Sequence, residues 1–132
     1  MRTLYLDELS DDRLVECPKG AFVSSRFLLA SDGMGFSLHH TRIARGGPYV
    51  WHYKHHKEAC YCVSGRGLLT DTTTGQAWEI VPGACYVLDD NKKHTFLAFE
   101  ETVLISVFNP PCTGTEVHRA DGSYAPTGEV QS

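Results

Sequence analysis

The residues able to do chemistry in this chain fall into spaced groups. Gly46 is followed by five residues and then His52, Glu58 stands six residues after His52, and six residues separate Glu58 from Gly65. A second group runs from Gly75 through Val81-Pro82-Gly83 to Tyr86 and Asp90, and His94 follows eight residues after Tyr86, across the turn 89–93. Glu58, Cys60 and Cys62 share parity, so a strand here points a carboxyl and two thiols to one side. The Cys-x-Cys pair suggests zinc, but no second pair has matching spacing, and small core thiols are the better reading. His52, His55 and His56 also invite a metal reading; holding the local fold is the simpler role, above all for His56. Glu116 and His118 add polar chemistry to an otherwise plain segment.

The elements that must position these groups are short strands. The chain has 132 residues, one domain's length, with 42% apolar and 21% charged residues. It needs neither disulfides nor metal merely to fold. Candidate strands span residues 25–31, 36–44, 58–64, 68–71, 77–81, 85–88, 94–99 and 102–108, with a break at Gly46-Gly47-Pro48 and a stop at Pro110-Pro111. Residues 10–15 suggest one short helical turn. About eight or nine strands with turns at short intervals predict an antiparallel sandwich or barrel. The domain divides into an N-terminal segment 1–19, the barrel 20–109, a C-terminal segment 110–124 and a flexible tail 125–132.

Composition also excludes partners. Net charge is −4, and no basic face is visible, which argues against nucleic acid. No apolar run approaches the ~20 residues of a membrane span. The start of the chain reaches acidic residues too early for a secretory leader, and five cysteines then read as reduced thiols of a cytoplasmic protein. Exposed strand edges in so small a barrel make a homodimer the expected assembly.

The first spaced group resembles the first cupin motif in its outer glycines, first histidine and glutamate, with Tyr53 and Lys54 where a second histidine is usual. The second group is similar to the second cupin motif, with Tyr86 in the usual place of a histidine and Asp90 in that of an asparagine. This resemblance implies an all-β, cupin-type antiparallel barrel or jelly roll with minimal helix. In that register Glu58 keeps a metal-ligand position, Tyr86 offers a phenolate, and His94 returns to the same pocket. Two oxygens and a nitrogen with open coordination sites suit iron(II), with manganese or zinc as alternatives. A bound cation would lower the phenol pKa well below about 10.

A closer resemblance is carried by His52-Tyr53-Lys54-His55-His56-Lys57-Glu58-Ala59, Gly33-Met34-Gly35-Phe36-Ser37, Tyr86-Val87-Leu88-Asp89-Asp90, Val107-Phe108-Asn109-Pro110-Pro111 and the segment from Thr113 to Tyr124. These blocks are similar to those of ectoine synthases. The resemblance implies a cytoplasmic, dimeric lyase that closes N-γ-acetyl-L-2,4-diaminobutyrate to the osmotic-stress solute ectoine with loss of water. It implies Glu58, Tyr86 and His94 as metal ligands, and Tyr53, Glu116 and His118 as catalytic groups. Glu116 and His118 form the proton-transfer pair, on one face of an extended chain. It also implies Phe22, Arg26, His39, Thr41, Ser106 and Phe108 as substrate-binding positions, with Arg26 able to hold a carboxylate through a bidentate contact. Phe22 stands where a tryptophan is expected, Ser106 where a cysteine is expected, and His39 at a variable substrate-facing position. These pocket changes leave open a relative acting on another acylated amino acid, one hydrolysing ectoine-like rings, an iron-dependent oxygenase, or a non-catalytic small-molecule-binding cupin.

Overall fold

Alternation of inward and outward side chains builds nearly every element of this chain. The structure is a computed structural model, and it describes residues 1–17 and 20–114. The strands are β1 (Leu14–Glu16), β2 (Phe22–Leu28), β3 (Ser37–Ile43), β4 (Gly46–Trp51), β5 (Lys57–Ser64), β6 (Gly67–Asp71), β7 (Ala77–Ile80), β8 (Cys85–Leu88), β9 (His94–Ala98) and β10 (Thr102–Asn109). They form a six-stranded sheet, ordered β1-β2-β3-β10-β5-β8, and a four-stranded sheet, ordered β4-β9-β6-β7. All the pairings are antiparallel. This is the cupin-type jelly roll that the motif resemblance implies, and among the described residues helix is limited to short 3-10 turns. Among the described residues no helix is long and apolar enough to cross a membrane.

The core lies between the sheets. β10 buries Thr102, Leu104, Ser106 and Phe108 in strict alternation, and β9 buries His94, Phe96 and Ala98. Phe96 is fully buried, worth roughly 2–3 kcal/mol of apolar transfer. Its ring sets the need for Gly67 on the neighbouring strand, because a Cβ there would sit 2.5 Å from the ring. Gly65, the closing glycine of the first spaced group, has φ +93°, and a Cβ would come within 2.5 Å of the Glu101 carbonyl oxygen.

Three elements differ from the sequence expectation. β2 begins at Phe22, not residue 25, because Phe22 to Arg26 pair continuously with β3. It ends early because Asp32 Oδ2 accepts the Leu29 N–H at 2.8 Å and opens a 3-10 turn at Ala30–Asp32. Gly46-Gly47-Pro48 starts a strand instead of interrupting the chain: β4 is the sheet's edge, where proline is tolerated. Its register against β9 shifts between Gly46 and Tyr49, and the Tyr49 hydroxyl donates to the Ala44 carbonyl at 2.8 Å. Residues 10–15 hold a 3-10 turn only over Asp11–Arg13, after which β1 pairs with β2.

Candidate active site

The inward face of the six-stranded sheet lines a small cavity of about 20 Å³. β2 contributes Phe22 and Ser24, β3 contributes His39 and Thr41, and β10 contributes Ser106 and Phe108. Glu58 enters from β5 and Tyr86 from β8. The four-stranded sheet adds Trp51 at the end of β4, and Tyr53 follows in the connection to β5. One antiparallel register explains the assembly: Ser106 faces His39 across β3–β10 and Cys60 across β5–β10, and Phe108 faces Glu58.

The electrostatics are those of a dry cavity. Burial pushes the Glu58 carboxyl up to about 7, against side-chain hydrogen bonds from Cys60 and Ser106 that lower it. Burial also raises the Tyr86 phenol well above its ordinary value, helped by the neighbouring Cys60 and Glu58. Cys60 is raised by burial and then by the Glu58 charge, so both it and Cys62 stay inward-facing thiols as their parity predicts. Ser106 Oγ lies 3.4 Å from Thr41 Oγ1 and 3.5 Å from Cys60 Sγ. Phe108 collects rings around it: His39 at 5.0 Å, Tyr53 at 5.3 Å and His56 at 5.9 Å between centroids.

Glu58 and Tyr86 therefore share one cavity, as do Phe22, His39, Thr41, Ser106, Phe108 and Tyr53. Arg26 is fully buried on the same face of β2 but is not among the lining residues. His94 faces inward from the opposite sheet and does not line this cavity; its ring lies 6.2 Å from Trp51 and 6.0 Å from Tyr53, which do. Glu116 and His118 lie outside the described residues. His40 faces away from His39 and is half-buried.

The donor set can be tested against a divalent cation. His94 is buried, and burial holds its imidazole down to about 4 against a backbone hydrogen bond at Lys92 that raises it, hence neutral and able to ligate. The buried Glu58 carboxyl and Tyr86 phenol share one cavity and could both face a cation there, whereas His94 lines a different pocket, so the structure does not gather all three donors at one point. Among the described residues no three His, Cys, Asp or Glu side chains gather as a metal cluster. Of the three expected ligands, Glu58 and Tyr86 meet in the cavity and His94 does not join them there.

Sequence reasoning missed two positioning residues. Asn91, at φ +57°, donates from Nδ2 to the carbonyls of Tyr53 (2.9 Å) and His56 (3.0 Å). His52 Nε2 lies 2.7 Å from the Asn91 carbonyl oxygen, so His52 does hold the local fold. Asparagine in the left-handed region of a turn was the available signal. Ser24 lines the cavity 3.3 Å from His39 Nδ1, and only the β2–β3 register reveals it. Trp51 also forms cavity wall and meets Phe22 edge-on at 5.7 Å.

Comparison with known proteins agrees with this geometry. The sequence model of the family described as ectoine synthase matches residues 2–128. The L-ectoine synthase of Marinomonas sp. (strain MWYL1) is 48% identical over 113 residues, covering 86% of this chain and 88% of its own. That of Halomonas elongata is 47% identical over 119 residues, covering 90% and 87%. The crystal structure of ectoine synthase from P. lautus superposes with a TM-score of 0.82 at 39% identity, covering 92% of this chain and 87% of that one. Motif spacing, jelly-roll architecture, cavity wall and these likenesses converge: the chain belongs to the ectoine synthase family.

Proposed function

We propose that the cavity closes N-γ-acetyl-L-2,4-diaminobutyrate into ectoine with loss of water, the reaction class of a lyase. The observation that carries this reading is the buried Glu58–Tyr86 pair lining one cavity with Thr41, Ser106 and Phe108, in a chain of this family. Ring closure joins the α-amine nitrogen to the acetamide carbon, and the carbonyl oxygen leaves as water after gaining two protons. The amine must be unprotonated to attack, and the oxygen must be protonated to leave.

Glu58, Tyr86 and His94 would hold an iron(II) ion, with manganese or zinc as alternatives. Such an ion supplies Lewis acidity toward the poorly electrophilic amide. The chain's own groups do the rest. Phe22, Trp51 and Phe108 form apolar walls that exclude water and favour a folded substrate. Thr41 and Ser106 offer hydrogen bonds along one side, and burial first, then the nearby charge of Arg26, opposes protonation of His39. Tyr53 is placed in the wall by the Asn91 clamp on its carbonyl. Glu116 and His118 are the proposed proton-transfer pair, the general base for the amine and the acid for the departing oxygen. The enzyme works in the cytoplasm as a homodimer, a reading supported by exposed Tyr61, Val63 and Val87 on β5 and the edge strand β8.

The test is an anaerobic assay with iron(II)-loaded protein and N-γ-acetyl-L-2,4-diaminobutyrate, following product by chromatography. Ectoine is expected at enzyme-like turnover, with loss on chelation and recovery on adding iron back. A folded, metal-loaded protein that forms no ectoine would refute the reading.

A further inference from the structure

Three sealed side chains on β2 and β3 form a polar chain that the ring-closure account leaves unused. Ser24 Oγ lies 3.3 Å from His39 Nδ1, His39 Nε2 lies 3.2 Å from Ser37 Oγ, and Ser37 Oγ accepts the Cys112 backbone N–H at 3.0 Å. All three side chains are buried, and Ser37, 0% exposed and away from the cavity lining, has no water to complete its bonding.

Counting hydrogens orients the chain. A serine hydroxyl has one hydrogen to give and two lone pairs to accept with. Ser37 already accepts from Cys112, and the acceptor within reach of its own O–H is His39 Nε2. The ring proton is then on Nδ1 and points at Ser24 Oγ. The other tautomer would strand the Ser37 hydrogen in a site closed to water. Once Ser24 accepts from Nδ1, its own O–H is left to turn into the cavity that Ser24 lines.

We propose that His39 is a positioning residue that takes a hydrogen bond from Ser37 and gives one to Ser24, so that the Ser24 hydroxyl is presented as a donor to an acceptor oxygen of the bound substrate. The role requires a neutral ring, and burial first, then the charges of Arg26 and His56, hold the imidazole pKa down to about 3. The same Ser37 oxygen anchors Cys112, whose carbonyl accepts the Ala30 N–H at 2.7 Å. One network thus sets both a donor in the cavity wall and the point where the chain leaves β10. Its substrate half rests on the ring-closure reading; its tautomer half does not.

The experiment has two arms on the full-length protein. Long-range proton–nitrogen correlation spectra of protein labelled with ¹⁵N-histidine report the His39 tautomer without substrate, with His39→Asn supplying the assignment. Nδ1–H is expected, and Nε2–H would overturn the arrangement. In the kinetic arm, Ser24→Ala is expected to raise KM about three- to tenfold with kcat changed by less than about twofold, the signature of a lost binding contact. His39→Leu should raise KM as far. His39→Asn, whose amide can take the place of Nδ1, should recover most of that loss, whereas His39→Gln, reaching the place of Nε2, should not. A KM for Ser24→Ala equal to that of the parent, in folded protein, would overturn the donor role. If the parent itself forms no ectoine, the functional reading fails, while the tautomer still decides the network.

Discussion

Both sheets bury apolar side chains, but the buried polar ones are concentrated on the larger sheet. The six-stranded sheet turns Ser24, Arg26, Ser37, His39, Glu58 and Ser106 inward, each nearly sealed from water. The four-stranded sheet turns in Trp51, Leu69, Ile80, Phe96 and Ala98, with His94 as its one buried histidine among the described residues. Polar groups are costly to bury, so the larger sheet carries a stability burden that function must justify, whereas the smaller sheet is ordinary core. The contrast teaches where to look: the chemistry is on the larger sheet, and the smaller one backs it with aromatic rings and a single imidazole.

Substitutions on the two faces should separate stability from activity. Phe96→Ala, on the smaller sheet, should cost about 3–5 kcal/mol in urea or thermal unfolding, because the ring touches Trp51 and Tyr86 and fills the space over Gly67. Glu58→Gln, on the larger sheet, should lower ectoine turnover by roughly a hundredfold or more, yet metal-free protein should unfold no more easily at neutral pH, since a buried carboxyl whose pKa burial raises to about 7 is replaced by a neutral group. A stability loss in Glu58→Gln comparable to that in Phe96→Ala would erase the distinction.

Smaller effects sharpen it. Asn91→Ala should cost about 2 kcal/mol, since two buried carbonyls lose their donor, and calorimetry should find this loss together with a raised KM as Tyr53 loosens. Asp32 lies far from the cavity and offers the control. The backbone N–H of Leu29, then Arg13, lowers its carboxyl from an ordinary 3.8 to about 2. A depressed pKa means that its contribution is complete above pH 4 and fades as pH falls toward 2. Asp32→Asn should therefore cost about 1 kcal/mol at neutral pH, converge with the parent in unfolding scans near pH 2, and leave ectoine turnover as it was.

Much of this was legible in the sequence, for definable reasons. Glu58 and Tyr86 were readable because motif spacing fixes strand register, and register decides which side chains meet. The same parity placed Cys60 and Cys62 on the side of Glu58. β4 was hidden because Gly46-Gly47-Pro48 reads as a turn until the strand is known to be an edge. Ser24 was hidden because a serine carries no signal until a cross-strand partner gives it one. His94 was expected to return to the pocket of Glu58 and Tyr86, but it faces inward from the opposite sheet beside Trp51 and Tyr53 and does not line that cavity, because spacing along the chain cannot say which sheet a strand joins.

The central claim is that Glu58 on the larger sheet joins metal binding to ring closure. It is tested most directly by measuring iron per folded chain and ectoine turnover on the same samples of parent, Glu58→Ala and Phe96→Leu protein. The account predicts that iron and turnover fall together in Glu58→Ala and that both persist in the folded fraction of Phe96→Leu. Full iron occupancy with parent-like turnover in Glu58→Ala would contradict it.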